Sequence, residues 1–589
     1  MSVTNEEIAK RLREIYQLMQ LAGENRFRAI AFDRAAQTIE SLNEDINDYI
    51  ENDSLTDIKG IGDSIAEDIR SYAETGKIEV LESLRERIPE GIIKWLNISG
   101  LGPKNIAKIH QHLGISKLDE LKEACQDGSV AELDGLGEKS AQKILKSIEW
   151  MEQFDERCRL DQAVAIAEPM YDFLKDKEGV EAIEIAGSLR RSKETIGDVD
   201  ILIGAREEYI DDLFDAFVNH ELVVEVLGRG DTKSSIRTKE GRQVDLRIVE
   251  PEKFPAALMY FTGSKEHNVV LRQRARGRDL SLNEYGLFKL DDNGDTNFDA
   301  PIDYTSEQDI YQKLDLHWIP PELREDRGEI AFFESNEKMD LVETKDIRGV
   351  IHAHSTWSDG KFSIKEMAEA CMERGYEYLG ITDHSQTAAY AGGLSPDDIK
   401  RQWEEIDKLN EEFSNAGTDF RIFKGIESDI LSDGSLDYED KLLESFDFVI
   451  ASVHNGLDMS REKMMTRFRN AIKNPYTRII GHPTGRLLLQ RNGSKLDMNE
   501  LIELAAEHNT AIEINANPHR LDLDWRHGNK AREVNLMSSI NPDAHSKKGI
   551  DNIPYGVRIA RKAKFDKKRI LNTKSAADVA DWFKIREKA

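Results

Sequence analysis

Cysteine is scarce: three residues, Cys125, Cys158 and Cys371, lie scattered through 589 with no paired spacing. That leaves no disulfide framework to read and makes a reducing cytoplasm the expected setting. No run of about 18 apolar residues occurs, so no membrane span is expected. The opening residues, MSVTNEEIAK, are polar and acidic rather than a secretory signal. Positive charge is in deficit as well, with 81 Lys and Arg against 111 Asp and Glu and a formal net charge of -30. This balance argues against a globally basic wrapping surface for nucleic acid, but leaves room for a local basic groove.

At this length several domains are expected, since single cores rarely exceed about 250–300 residues. Thr4 and Glu7 are spaced as a capping box, and Ile8, Leu12, Ile15 and Met19 recur at helical spacing behind them. A pattern then appears three times: Ile58-Lys59-Gly60-Ile61-Gly62, Ile98-Ser99-Gly100-Leu101-Gly102 and Leu133-Asp134-Gly135-Leu136-Gly137. Each Gly-apolar-Gly leads into a polar helix start, where missing Cβ atoms bring backbone N–H groups toward a phosphate. One copy suits any helix–helix turn; three copies resemble helix-hairpin-helix motifs, which grip DNA backbone without reading sequence. Gly60, Gly62, Gly100, Gly102, Gly135 and Gly137 are the DNA-binding candidates.

In the middle third, Ile183–Ala186 reads as a strand running into Gly187-Ser188-Leu189-Arg190-Arg191. The next strand carries Asp198 and Asp200 two apart, hence on one face, and a third carries Asp245 with Arg247. Adjacent carboxylates repel unless a cation lies between them, and two Mg²⁺ ions on three Asp groups align an attacking oxygen with a leaving pyrophosphate. Gly187-Ser188 and Arg191 offer a turn, a hydroxyl and a guanidinium to a triphosphate.

Gly-Ser-x-x-Arg, Gly197-Asp-x-Asp and the distant Asp-x-Arg resemble the nucleotidyltransferase palm of family X DNA polymerases. The resemblance continues through Gly228-Arg-Gly-Asp-Thr-Lys-Ser, Tyr260-Phe261-Thr262-Gly263-Ser264, Asn268, Arg272 and Leu282-Asn283-Glu284-Tyr285. It implies Asp198, Asp200 and Asp245 as catalytic metal ligands, with Asp245 nearest the primer 3′-hydroxyl. Ser188, Arg191 and Gly197 would hold the triphosphate, with Gly187 and Arg247 in the same nucleotide-binding set. Tyr260 and Phe261, with Gly263, would press on the sugar, and Asn268 would reach the minor-groove edge of the new pair. Arg272, Arg274, Arg276 and Arg278 form a local basic run in which Arg272 and Arg276 share a helix face. Where some relatives place a Schiff-base lysine, this chain has Ser64 and Asp68, so a 5′-sugar lyase is not expected. Arg28 matches a 5′-phosphate-binding position.

The last 240 residues alternate strand and helix signals, and short apolar runs end on metal-capable side chains. His352 and His354 share a face, followed by Asp359; His384, Glu427, His454, His482, Asp543 and His545 come after. Parallel barrels carry chemistry at the C-terminal ends of their strands, and a mixed His/Asp/Glu set suits Zn²⁺, Mn²⁺ or Fe. These nine resemble the ligands of the PHP (polymerase and histidinol phosphatase) domain. That likeness implies a distorted (β/α)7 barrel, three metal ions, Mn²⁺ or Zn²⁺, and metal-assisted phosphodiester hydrolysis.

The expected fold is multidomain, α+β and α/β. Residues 1–85 form a helical DNA-binding domain, 86–150 a second hairpin domain, 151–255 the palm, 256–320 the thumb, 321–345 a linker and 346–589 the PHP barrel. The expected function is a monomeric gap-filling DNA repair polymerase of the base excision type. It would take dNTPs and gapped or primer-template DNA, with 3′→5′ exonuclease and AP endonuclease activity in the barrel. The rival readings are a small-molecule PHP phosphatase with an inactive N-terminal part, and a non-catalytic repair scaffold.

Overall fold

The computed structural model describes residues 3, 5–40, 46–58, 60–96, 98, 101–154, 157–336 and 338–584. Thr4 of the expected capping box, and Lys59, Ser99 and Gly100 of the hairpins, lie outside them. The chain divides into two compact units, Met1–Asp155 and Glu156–Ala589.

The first unit is helical among the described residues, around a core that includes Ile8, Leu12, Ile15 and Met19. Its three hairpins share one local geometry. The apolar residue between the glycines donates its N–H back three residues: Ile61 to Ile58, Leu101 to Ile98, Leu136 to Leu133. The second glycine accepts the first helical bond: Ala66 to Gly62, Ile106 to Gly102, Ala141 to Gly137. Ile61, Leu101 and Leu136 are buried as anchors, while Gly60, Gly62, Gly102, Gly135 and Gly137 are exposed. Gly60 (φ +95) and Gly135 (φ +78) lie where a side chain would be strained. Arg28 is exposed and ion-paired with Glu24 at 3.9 Å. In the first hairpin helix, Asp68 is pushed up to about 6 by burial, against the pull of Arg28.

The second unit opens with a five-stranded sheet in the order Val180–Ile185, Val199–Ala205, Gln243–Val249, Lys233–Thr238, Val223–Arg229. One pair, Val199–Ala205 with Gln243–Val249, is parallel; the others are antiparallel. Helices Leu160–Lys175 and Ile210–Val218 cover it with an apolar face including Leu160, Ala167, Leu213 and Phe217. After helices Phe254–Thr262 and Lys265–Arg276 comes a three-stranded sheet and helix Glu307–Lys313.

Within the stretch read as a linker, residues 321–336 and 338–345 are described and carry regular structure. Helix Glu329–Ser335 runs through them, and Leu323, Phe333 and Leu341 join the same core as Leu271, Ile310 and Tyr311. Two of their charges are paired inside: Arg324, 0% exposed, meets Glu307 at 2.7 Å, and Glu329 meets His267 at 2.7 Å. A buried charge is tolerable only with such a partner, and these two pairs tie the stretch into the core while most of its other charges stay exposed.

The remainder is a barrel of seven parallel strands in chain order: Gly349–Ala353, Tyr378–Ile381, Arg421–Asp429, Phe448–Ser452, Thr477–Ile480, Ala511–Asn515 and Ser538–Asn541. A parallel bridge from Ala353 to Ala544 brings first and last strands together. Outer helices and a filled interior leave the strands buried, which is why they read as near-continuous apolar runs. At the N-terminal end, Phe583 from the C-terminal helix stacks on Phe448 with centroids 4.4 Å apart. Gly380 and Gly425 leave room for the Phe448 ring, which lies 2.8 and 2.5 Å from where their Cβ atoms would be. An apolar plug thus fills one end and the polar residues collect at the other.

Candidate active sites

Strand register builds the first site. Asp200 lies directly opposite Asp245 on the parallel neighbour, and Asp198 stands just before its strand. Oxygens of the three carboxylates lie within 4.8 Å of one another. Burial, then Asp198 and Asp245, push the Asp200 carboxyl up to about 7. Burial opposes ionisation of Asp245 too, but hydrogen bonds from Lys233, Ser235 and Gln243 outweigh it and hold that carboxyl below its usual range. Lys233 Nζ is 2.5 Å from Asp245 Oδ2 and Gln243 Nε2 is 2.9 Å from Oδ1. An all-oxygen trio that repels itself fits hard divalent cations.

Gly187 (φ +60) starts the helical turn Gly187–Arg190, and a Cβ there would lie 2.2 Å from Asp200 Oδ2. Only glycine therefore allows the turn carrying Ser188 to sit against the carboxylates. Gly197, at the foot of the Asp-bearing strand, is half-buried. Arg191, expected on a triphosphate, is held by Glu325 at 3.0 Å and by the Thr262 carbonyl at 2.5 Å. Arg247 lies over the Phe261 ring at 4.3 Å, and Tyr260 meets Phe261 edge-on at 5.2 Å. Asn268 donates to the Tyr260 carbonyl at 2.7 Å, fixing the turn through Gly263 (φ +70). In the basic run, Arg272 and Arg276 are exposed, whereas Arg274 and Arg278 are bound to Glu334 and Asp315.

All nine metal-capable residues of the barrel converge at the C-terminal strand ends. Eight of them form three overlapping groups, His354, Asp359, His384 and His545; His352, His354 and Asp543; His384, Glu427 and His454, and His482 joins through Glu427. Glu427 lies at the centre, 3.0 Å from His384 Nδ1, 3.4 Å from His454 Nε2 and 3.0 Å from His482 Nε2. Burial works against its charge, yet His454, His352 and His384 together hold its carboxyl well below the ordinary range. His352 Nε2, His354 Nδ1 and His482 Nδ1 are buried without hydrogen-bond partners. Orphaned ring nitrogens around a buried carboxylate are what bound divalent metal ions would satisfy, so the donor set fits them.

The DNA polymerase/3'-5' exonuclease PolX of Bacillus subtilis (strain 168) is 40% identical over 580 residues, 98% of this chain and 99% of that one. The chain belongs to the family X DNA polymerases that carry a PHP domain. Within this family X chain, a helix-hairpin-helix domain matches residues 3–78, a tandem of such hairpins 94–149, the DNA polymerase beta thumb 257–325 and the PHP domain 351–517. DNA polymerase lambda of Rattus norvegicus is 24% identical over 299 residues, 48% of this chain and 49% of its own. A probable phosphatase of Caldanaerobacter subterraneus is 27% identical over 242 residues, 38% of this chain and 85% of its own. Family and hairpins together make this a DNA-binding enzyme, and among the described residues no helix is long and apolar enough to cross a membrane.

Sequence reasoning missed the groups that orient the cluster. Glu513 takes His352 Nδ1 at 2.6 Å and the His482 N–H at 2.7 Å, and Asp429 takes His454 Nδ1 at 2.8 Å. Asp383, fully buried, binds Ser355, Ser358 and Gln402. Glu513 and Asp429 thereby fix tautomer and ring direction in histidines placed to bind metal. Two were within reach of spacing: Glu513 precedes Asn515 in an alternating strand, and Asp429 is two residues beyond Glu427. Lys233 stood inside the Gly228–Ser234 stretch of the resemblance without a role of its own, and Glu325 carried no comparable signal.

Proposed function

We propose that this family X polymerase fills short gaps in DNA during base excision repair and that its barrel trims 3′ ends and cuts at abasic sites. Mg²⁺ at Asp198, Asp200 and Asp245, and three Mn²⁺ or Zn²⁺ ions at the nine barrel residues, would supply the charge that activates an attacking oxygen and stabilises a leaving one. The protein's own groups do the rest. Asp245 takes the primer 3′-hydroxyl proton, since Lys233 and Gln243 keep it ionised. Ser188, with Gly187 and Gly197, receives the triphosphate of a dNTP, joined by Arg191 once Glu325 releases it. Tyr260, Phe261 and Arg247 flank the sugar, Asn268 and Arg272 face the nascent pair and template, and the hairpin glycines hold the duplex backbone. Arg28 takes the 5′-phosphate across a gap, without lyase chemistry at Ser64 or Asp68.

The observation that carries this reading is the Asp200–Asp245 register beside the glycine-only turn at Gly187, in one chain with a complete barrel cluster. Such completeness speaks against both rivals, a phosphatase with a dead palm and an inert scaffold. The test is single-nucleotide insertion into a one-nucleotide gap with and without a 5′-phosphate. Faster filling with the phosphate, lost in Arg28→Ala, is expected. Indifference to the phosphate would remove the gap-filling assignment while leaving polymerisation intact. Cleavage of an internal abasic site that disappears in His352→Ala is the matching test for the barrel.

A further inference from the structure

One aromatic ring at the barrel mouth has no task in this scheme. Tyr390 is 68% exposed, the sole large apolar side chain so exposed among described residues 349–584. Its ring centroid is 6.5 Å from that of His384, and the carboxylates of Asp429, Glu427 and Asp359 lie within electrostatic reach of its hydroxyl. Exposure here does not come from a loose loop. The short turn Ala389–Ala391 is closed by Ala391 and Gly393 N–H groups on the Ala388 carbonyl and by Leu394 N–H on His384 O at 2.9 Å. Beneath it, Thr387 N–H binds Asp437 at 2.7 Å, and Gln386 binds the Asp437 carbonyl at 2.7 Å. Gly393 lets the turn lie flat on its base, since a Cβ would fall 1.9 Å from Ser385 O.

A rigid turn that spends an aromatic ring on solvent, one imidazole away from a phosphodiester-cleaving cluster, offers a π face to whatever lies next to the cleaved phosphate. For a DNA 3′ end that neighbour is a base, and every base has a face to stack irrespective of sequence. We propose that Tyr390 is the platform on which the 3′-terminal nucleobase stacks in the barrel site, so that the site selects ends bearing a base. This rests on the exonuclease reading above.

The test uses the full chain with Mn²⁺ and no dNTP, on single strands ending in a normal nucleotide or in a base-free tetrahydrofuran residue. The measured quantity is the ratio of kcat/KM for the two ends. Tyr390→Ala is expected to lower that ratio by roughly 5- to 100-fold, the range expected for losing one base–aromatic stack. Tyr390→Phe should keep it. An unchanged ratio in Tyr390→Ala, or a fall in Tyr390→Phe as large as in Tyr390→Ala, would overturn the platform. If wild type shortens neither strand, the exonuclease reading fails, and binding decides the platform separately. A strand ending in 2-aminopurine should be quenched on wild type and less so on Tyr390→Ala; equal quenching would overturn it.

Discussion

The palm and the barrel each gather three carboxylates, Asp198, Asp200 and Asp245 in one and Asp359, Glu427 and Asp543 in the other, but they manage the repulsion differently. In the palm the trio has no histidine among it, and Lys233 is the cation in contact. It sits on two central strands of its sheet, graded from exposed Asp198 to buried Asp245, and one member is left with a raised pKa. In the barrel, six histidines surround the carboxylates, and Glu427 and Asp543 are buried. Histidines allow that burial: against desolvation, the carboxylates raise His352, His384 and His454, whose positive charge offsets theirs, and each ring can give a metal a nitrogen donor without adding like charge. The difference teaches what each site selects: an open all-oxygen set suits a cation that keeps its waters and arrives with a nucleotide, a closed nitrogen-rich set one that stays.

Three substitutions and one trapping experiment probe the contrast, in descending order of effect. Glu307 joins the palm to the thumb through Arg190 and Arg324, and Glu307→Gln should cost about 3–5 kcal/mol of stability in denaturant unfolding, as for a broken buried pair. Despite burial, Arg324 and Arg190 hold the Glu307 carboxyl at about 2 against 4.5. Its stabilisation is therefore complete above pH 4.5 and lost as pH falls toward about 2, so the variant should show a shallower acid loss over that window. Gly187→Ala should slow primer extension about 100-fold by displacing Asp200, the order expected for a misplacement near 1 Å, while leaving barrel hydrolysis as it was. Equal slowing of both would blur the separation of the sites. Glu513→Gln should weaken metal retention in the barrel about 10- to 100-fold, read by chelator competition, with no effect on extension. Last, borohydride trapping on a 5′-sugar-phosphate end should give no covalent adduct, since Ser64 and Asp68 offer no amine.

The nine metal-capable barrel residues stood out because most lie at or just past the end of a short apolar strand, where a polar side chain must have a reason to be. The palm trio was legible from a period of two and a separate Asp-x-Arg. What the sequence hid was pairing over long separations. Arg191 reads as a free guanidinium, yet Glu325, 134 residues away, holds it and is itself held by Lys562 at 2.6 Å. The stretch 321–345 reads as a tether because buried ion pairs and solvated charges look alike in one dimension. Glu513 and Asp429 act through histidines far along the chain, so their role exists only after the barrel closes.

Two centres on one chain should work independently. The direct measurement follows one labelled primer–template under extension and degradation conditions with Asp198→Ala and His352→Ala. A crossed result is expected: Asp198→Ala stops extension and still trims the 3′ end, and His352→Ala extends and no longer trims. Extension surviving in Asp198→Ala, or trimming surviving in His352→Ala, would contradict it.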